Sequence, residues 1–198
     1  MVRRSFLAAA FLVILSASTV LAATKTVAVS GTAYTPASVT VPMGGTVAWK
    51  NKTARKRVVA ADTGFVASWF LPSTTVPANG TSVARTFPEA GSFGYHDTVK
   101  GFRGTVVVPM TVDLAVVTVN TKVTLRLGSV NCNAPVYHYV QARKNGGAWG
   151  MIATTGGTTW GWTVPSAGTW QIETKLHHAL GAGDSGWSPI VTVTALAP

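Results

Sequence analysis

Apolar and polar positions alternate with a period of two along most of the chain, in short runs separated by turn residues. In the first half, TKTVAVSG alternates, and SVTVPMGGTVAWKN reads as two strands about the Gly44-Gly45 turn, followed by RVVAAD and TSVARTF. The stretch AGSFGYHDTVKGFRGTVVV, Ala90 to Val108, then gives a strand, a short loop and a second strand, with Gly91, Gly101 and Gly104 as punctuation. Beyond Pro109 come VDLAVVTVN, KVTLRLGSV, VYHYVQARKN, GAWGMIATT, TTWGWTVP, GTWQIETKL and SPIVTVTAL, all strand candidates. No stretch sustains a helical period. The pattern predicts an all-β fold of two β-sandwich domains, residues 24–109 and 110–198, meeting near Pro109 without a long linker.

The opening 23 residues, MVRRSFLAAAFLVILSASTVLAA, depart from this pattern. A basic start, an apolar run and small residues at the end read as a secretory signal peptide, residues 1–23, cleaved after Ala22 or Ala23. Ser16, Ser18 and Thr19 interrupt the run before it reaches the ~20 residues of a membrane span, and no later stretch is long enough. The mature protein is therefore expected outside the cytoplasm, secreted or at the cell surface. Cys132 is the only cysteine, so no internal disulfide is available and the domains must stand on apolar packing, which a 47% hydrophobic composition permits. Cys132 is read as a free thiol, with an intermolecular disulfide as the alternative.

The first domain resembles the cupredoxins, the blue-copper proteins, from about Thr26 to Val108. The resemblance rests on YTPASVTVPMGGTVAWKN, with its aromatic-x-Pro, Val-rich strand, Gly turn and V-x-W-x-N, and continues through GFVASWFLP, the TF–EAGSFGY approach and the final GTVVV strand. It implies a Greek-key sandwich with a copper site at one end, held by a His, a Cys, a second His and usually a Met. Carried over by position, the first His slot falls on Arg57, the Cys slot on Asp97, the second His slot on Lys100, and the Met slot on Phe102 or Arg103. A shifted alignment puts His96 in the Cys slot. Between Thr24 and Pro109 there is one histidine, His96, and no cysteine. A type 1 copper site needs a thiolate and two imidazoles, so no cofactor is expected. Asp97 is instead expected either to pair with Arg57 or Lys100, or to point with them into water as loop charges.

Charge then changes the picture. The chain carries 16 Lys+Arg against 6 Asp+Glu, a formal net charge of +10. Lys50, Lys52, Arg55, Lys56, Arg57, Lys100 and Arg103 fall in the two loops that the resemblance brings to one end. Such a patch can hold an anionic extracellular polymer, surface or protein. Nucleic acid is not expected of a secreted chain.

The second domain resembles a fibronectin type III or immunoglobulin-like module through YHYVQARKNGGAW, PSAGTWQIETKL and GDSGWSP, with Trp170 at the corner position and Leu127 at the early core position. His138 reads as a strand residue. His177 and His178, adjacent in a strand, face opposite ways and make a poor chelate. The tryptophans, Trp160 and Trp162 included, are read mainly as packing residues. Paired carboxylates, a G-x-S-x-G elbow and a phosphate-binding glycine loop are all absent from the sequence, so no enzyme is expected. The sequence therefore points to a non-enzymatic binding or structural protein. The alternatives are a copper-binding electron carrier and a subunit of an extracellular assembly.

Overall fold

The computed structural model describes residues 24–198, apart from the side chains of 67 and 68. The predicted signal peptide, residues 1–23, lies outside the described residues. The first half holds β1 (Lys25–Val29), β2 (Tyr34–Thr35), β3 (Ser38–Thr40), β4 (Gly45–Asn51), β5 (Arg57–Ala61), α1 (Gly64–Trp69), β6 (Thr74–Val76), β7 (Arg85–Phe87), β8 (Gly91–Asp97) and β9 (Arg103–Val108). These strands form two sheets, ordered β2-β1-β4-β7 and β3-β9-β8-β5-β6. Strand β1 runs parallel to β4, and β3 parallel to β9. The inward residues of one sheet, Val27, Val29, Val47 and Trp49, meet Val59, Phe93, Tyr95, Val106 and Val108 of the other in a single core. This follows from strand alternation: in β8, Phe93, Tyr95 and Asp97 point inward while Ser92, Gly94 and His96 are half-exposed.

The second half holds β10 (Thr111–Val112), β11 (Val116–Thr118), β12 (Lys122–Arg126), β13 (Val136–Lys144), β14 (Gly150–Thr155), β15 (Thr159–Thr163), β16 (Gly168–His178) and β17 (Val191–Leu196). Its sheets are β10-β12-β15 and β11-β17-β16-β13-β14. Val123, Leu125, Trp162, Val140, Ile172 and Val193 fill the space between them. Trp160, Trp162 and Trp170 pack against this core. Trp162 is buried and meets Trp170 edge-on at 5.2 Å, and the Trp170 indole N–H donates to the Ser166 carbonyl at 3.0 Å.

Two local readings need correcting. GFVASW forms the short helix α1, which no periodicity announced; Phe65 and Val66 are buried in it, so tertiary packing rather than amphipathic pattern makes it helical. VDLAVVTVN forms two strands, β10 and β11, that join different sheets. The switch is held by Asp113, whose Oδ1 accepts the Thr124 backbone N–H at 2.8 Å.

Among the described residues no sheet mixes strands from the two halves, yet the halves are closely joined through residues 88–92. Ser129 N–H donates to the Pro88 carbonyl and Ala90 N–H to the Leu127 carbonyl, both at 2.8 Å. Ser92 and Gly186 exchange two backbone hydrogen bonds, of 2.9 and 2.8 Å, and the Ser92 hydroxyl donates to the Trp187 carbonyl at 2.8 Å. Strand β8 pairs with β5 only from Tyr95 onward. The second half thus covers the part of the β8 edge that β5 leaves open, which removes an unpaired edge. Val136 and Leu176 enter the first core, and Ala90 enters the second.

Gly128 faces the buried carboxylate of Glu89 in this joint, and a Cβ there would overlap Glu89 Oε2. Gly128→Ala is expected to lower unfolding stability by about 1–3 kcal/mol through overpacking. Gly31→Ala, whose added methyl would meet nothing within 4 Å, should leave it nearly unchanged. Equal denaturation midpoints for the two variants would refute the close contact.

Candidate functional site

The loop after β4 and the loop between β8 and β9 lie at one end of the first sandwich. Their contact is direct: Thr98 N–H donates to the Val58 carbonyl at 3.0 Å, and Arg57 Nη1 lies 3.7 Å from Asp97 Oδ1. Arg57 and Asp97 are 6% and 0% exposed. Both sit in phase with core residues, Arg57 with Val59 on β5 and Asp97 with Tyr95 on β8, so the strand period turns them inward. Asp97 Oδ1 also accepts the backbone N–H groups of Val99 (2.9 Å) and Lys100 (2.7 Å), which closes the loop. Lys100 thus contributes its backbone, and its side chain stays exposed.

Aromatic rings wall this charged pair. Tyr34 meets Tyr95 and Phe102 at 4.7 Å each, and Tyr95 meets Trp49 at 5.2 Å. Burial, then the negative charge of Asp97, hold the Tyr34 hydroxyl protonated far above its usual range, and burial pushes Tyr95 up to about 12. Arg57 Nε, Asp97 Oδ2 and the Tyr34 hydroxyl are buried without a hydrogen-bond partner among the described residues.

On the outer face of the same strands, Asp62 accepts from Arg103 Nη1 at 2.7 Å and lies 2.6 Å from His96 Nδ1. His96 and Asp97 therefore face opposite sides of β8 and do not converge on one point. Asp62 escaped the sequence reading because its partners lie 34 and 41 residues away.

Around the pair, Lys50, Lys52, Arg55, Lys56 and Lys100 are exposed, and the Arg103 side chain is 71% exposed despite its contact with Asp62. Asn51 shapes the loop that carries them. Its Nδ2 donates to the carbonyls of Arg55 (2.7 Å) and Pro77 (2.9 Å), and its Oδ1 accepts from Thr53 N–H (2.9 Å). Arg57, grouped with these cations in the sequence, is buried against Asp97 and lies beneath the exposed set.

A second cluster lies at the joint between the halves. Glu89 and His138, both fully buried, approach at 2.8 Å through Oε2 and Nε2. Cys132 Sγ completes a group whose donor atoms all lie within 4.8 Å of one another. Burial raises the Glu89 pKa above the ordinary carboxylate range, against the pull of His138. Burial first, and then the Glu89 charge, push the Cys132 thiol up to about 12, so at neutral pH it is the unreactive protonated form. The inward phase of His138, in register with Val136 and Val140, was legible in the sequence; its partner across the joint was not.

The buried charge makes a stability prediction. Asp97→Ala removes the acceptor of two loop N–H groups and strands a buried guanidinium, and should cost about 3–5 kcal/mol. Asp97→Asn keeps an oxygen for those N–H groups and should cost less. Urea denaturation of both variants checks the order, and equal costs would show that the two loop hydrogen bonds to Asp97 add nothing beyond the charge that both variants remove.

No protein-family model matches the chain, and no curated protein matches it. Solved structures do show similarity. Two point mutants of amicyanin, one in a reduced Cu(I) form at pH 4 and one with Cu(I), are each 29% identical to this chain, covering 43% of it and 81% of their own length, with TM-score 0.39. Amicyanin from Paracoccus versutus is 30% identical, covering 43% of this chain and 80% of its own length, with TM-score 0.39.

Proposed function

We propose that this chain is a secreted, non-enzymatic binding or structural protein. In this reading its cupredoxin-like first domain no longer holds copper, and the basic end of that domain contacts an anionic surface or partner. The observation that carries the reading is the buried Arg57–Asp97 pair at the positions where the sequence resemblance puts the first His and the Cys. A guanidinium repels a cation, and a carboxylate tied to two backbone N–H groups and an arginine offers copper neither a soft sulfur nor an imidazole. The residues present do not fit a type 1 copper ion. The one first-half imidazole, His96, is turned outward to Asp62.

With Arg57 committed beneath them, the exposed cations Lys50, Lys52, Arg55, Lys56 and Lys100 form a shelf rooted in Asn51 and Asp97. Clustered charges on a rigid base lose little entropy on binding and concentrate an anion near the surface. In the second half, the three-strand and five-strand sheets and the Trp170-to-Ser166 hydrogen bond at the start of β16 support an immunoglobulin- or fibronectin-like module.

Two measurements test this. The Cys132→Ser protein, titrated with copper, should take up no stoichiometric metal and stay colourless; stoichiometric uptake would restore the electron-carrier reading. The wild-type mature protein should bind heparin, used as a soluble acidic polysaccharide, with an affinity that falls steeply with salt. The Lys50→Ala/Lys52→Ala/Lys56→Ala/Lys100→Ala variant should bind about tenfold more weakly or worse. Unchanged binding by that variant would remove the basic end from the function.

A further inference from the structure

The cluster of Glu89, Cys132 and His138 is far more polar than its surroundings require. Glu89 is 0% exposed, inside the run of buried residues Phe87, Pro88, Glu89, Ala90 and Gly91. His138 meets only one of its oxygens. The other, Oε1, is buried without a hydrogen-bond partner among the described residues; the Val130 backbone N–H favours the ionised form without closing a hydrogen bond of normal geometry. An orphaned carboxylate oxygen in a protein interior pays the full cost of its lost hydration. A buried Glu–His pair accounts for one oxygen and one imidazole nitrogen, and leaves Oε1 and the Cys132 sulfur unexplained.

We propose that Glu89, Cys132 and His138 form a binding site for a zinc-class divalent cation that bridges the two halves of the chain. Three donors of the types zinc prefers, a sulfur, an imidazole nitrogen and a carboxylate oxygen, already lie within 4.8 Å of one another. Zinc bonds of about 2.0–2.3 Å require only small side-chain movements from there. Magnesium and calcium, which take oxygen donors, do not suit a set that includes a thiolate.

The hydrogen bonds around His138 leave the correct nitrogen free. The Thr174 hydroxyl donates to the Tyr139 carbonyl at 3.0 Å, so its oxygen is left to accept from His138 Nδ1–H, 3.4 Å away. That assigns the proton to Nδ1 and the lone pair to Nε2, the atom that faces Glu89. Charge also balances. The ion replaces the thiol proton and the proton shared between Glu89 and His138, releasing both to solvent. A dication with one thiolate, one carboxylate and a neutral imidazole has no net charge, as a buried site requires. Water can fill the fourth position.

The site is independent of the vacated copper slots, which lie at the opposite end of β8, and of any anionic partner. The test uses the untagged mature protein. After incubation with zinc and gel filtration, wild type should retain one zinc per chain and unfold at a higher temperature than the metal-free protein. Cys132→Ser and Glu89→Gln should retain none, and zinc should not raise their unfolding temperature. Thr174→Val, with all three donors intact, should weaken zinc binding on the order of 10-fold. Cobalt(II) in wild type should give a thiolate-to-metal charge-transfer band that Cys132→Ser lacks, so the site remains testable even if a Glu89 variant fails to fold. No retained zinc in wild type, equal retention by Cys132→Ser, or a cobalt complex without the thiolate band would each overturn the proposal.

Discussion

The burial of Glu89 is the constraint on which the joint depends. A carboxylate cannot be left in an apolar interior without partners, and among the described residues those of Glu89 lie in the other half of the chain. His138 comes from β13, Gly128 supplies the space beside Oε2, and the Pro88 and Ala90 backbones are paired by Ser129 and Leu127. Separating the halves would expose an uncompensated charge site, the uncovered start of β8 and the apolar contacts of Val136 and Leu176 together. The joint therefore behaves as interior rather than as a wet contact between modules, and the short connection at Pro109 to Thr111 adds to its stiffness.

The same strand geometry explains the far end of the first sandwich. A period of two decides which residues face inward, and it does so whatever their chemistry. In β5 and β8 the inward series continues past the apolar core to Arg57 and Asp97. A fold that turns these two positions inward must fill them with groups that tolerate each other. Opposite charges 3.7 Å apart, with two backbone N–H groups on the carboxylate, meet that condition and pin both loops at once. Such a pair adds little net stability compared with apolar residues, but it fixes the loops in register.

Much of this was legible in the sequence. Alternation and turn residues located most strands, and the family resemblance, carried over by position, pointed to Arg57 and Asp97. The phase of Tyr95 and Asp97 was also readable, because register along one strand is a local property. Three things were not legible. Helix α1 is made by the burial of Phe65 and Val66, which no local periodicity encodes. The break in VDLAVVTVN depends on Asp113 meeting Thr124 across the fold. The Glu89–His138–Cys132 cluster joins Glu89 to a short stretch of the second half, His138 lying 49 residues further on, and the local contexts look ordinary: a carboxylate after a Pro, a histidine between tyrosines, a cysteine in a polar turn. Only the covering of the β8 edge by the second half brings them together.

That covering has a consequence for how the molecule presents itself. Strand β8 meets the second half at Gly91 and Ser92 and ends at Asp97 beneath the cationic loops, so joint and shelf stand about 20 Å apart on one rigid rod. A molecule seated on a negatively charged surface by its lysines would hold its second half aloft and away from that surface. It would act as a bracket with a set angle rather than a tether, and whatever docks on the upper half would be held at a defined height and bearing.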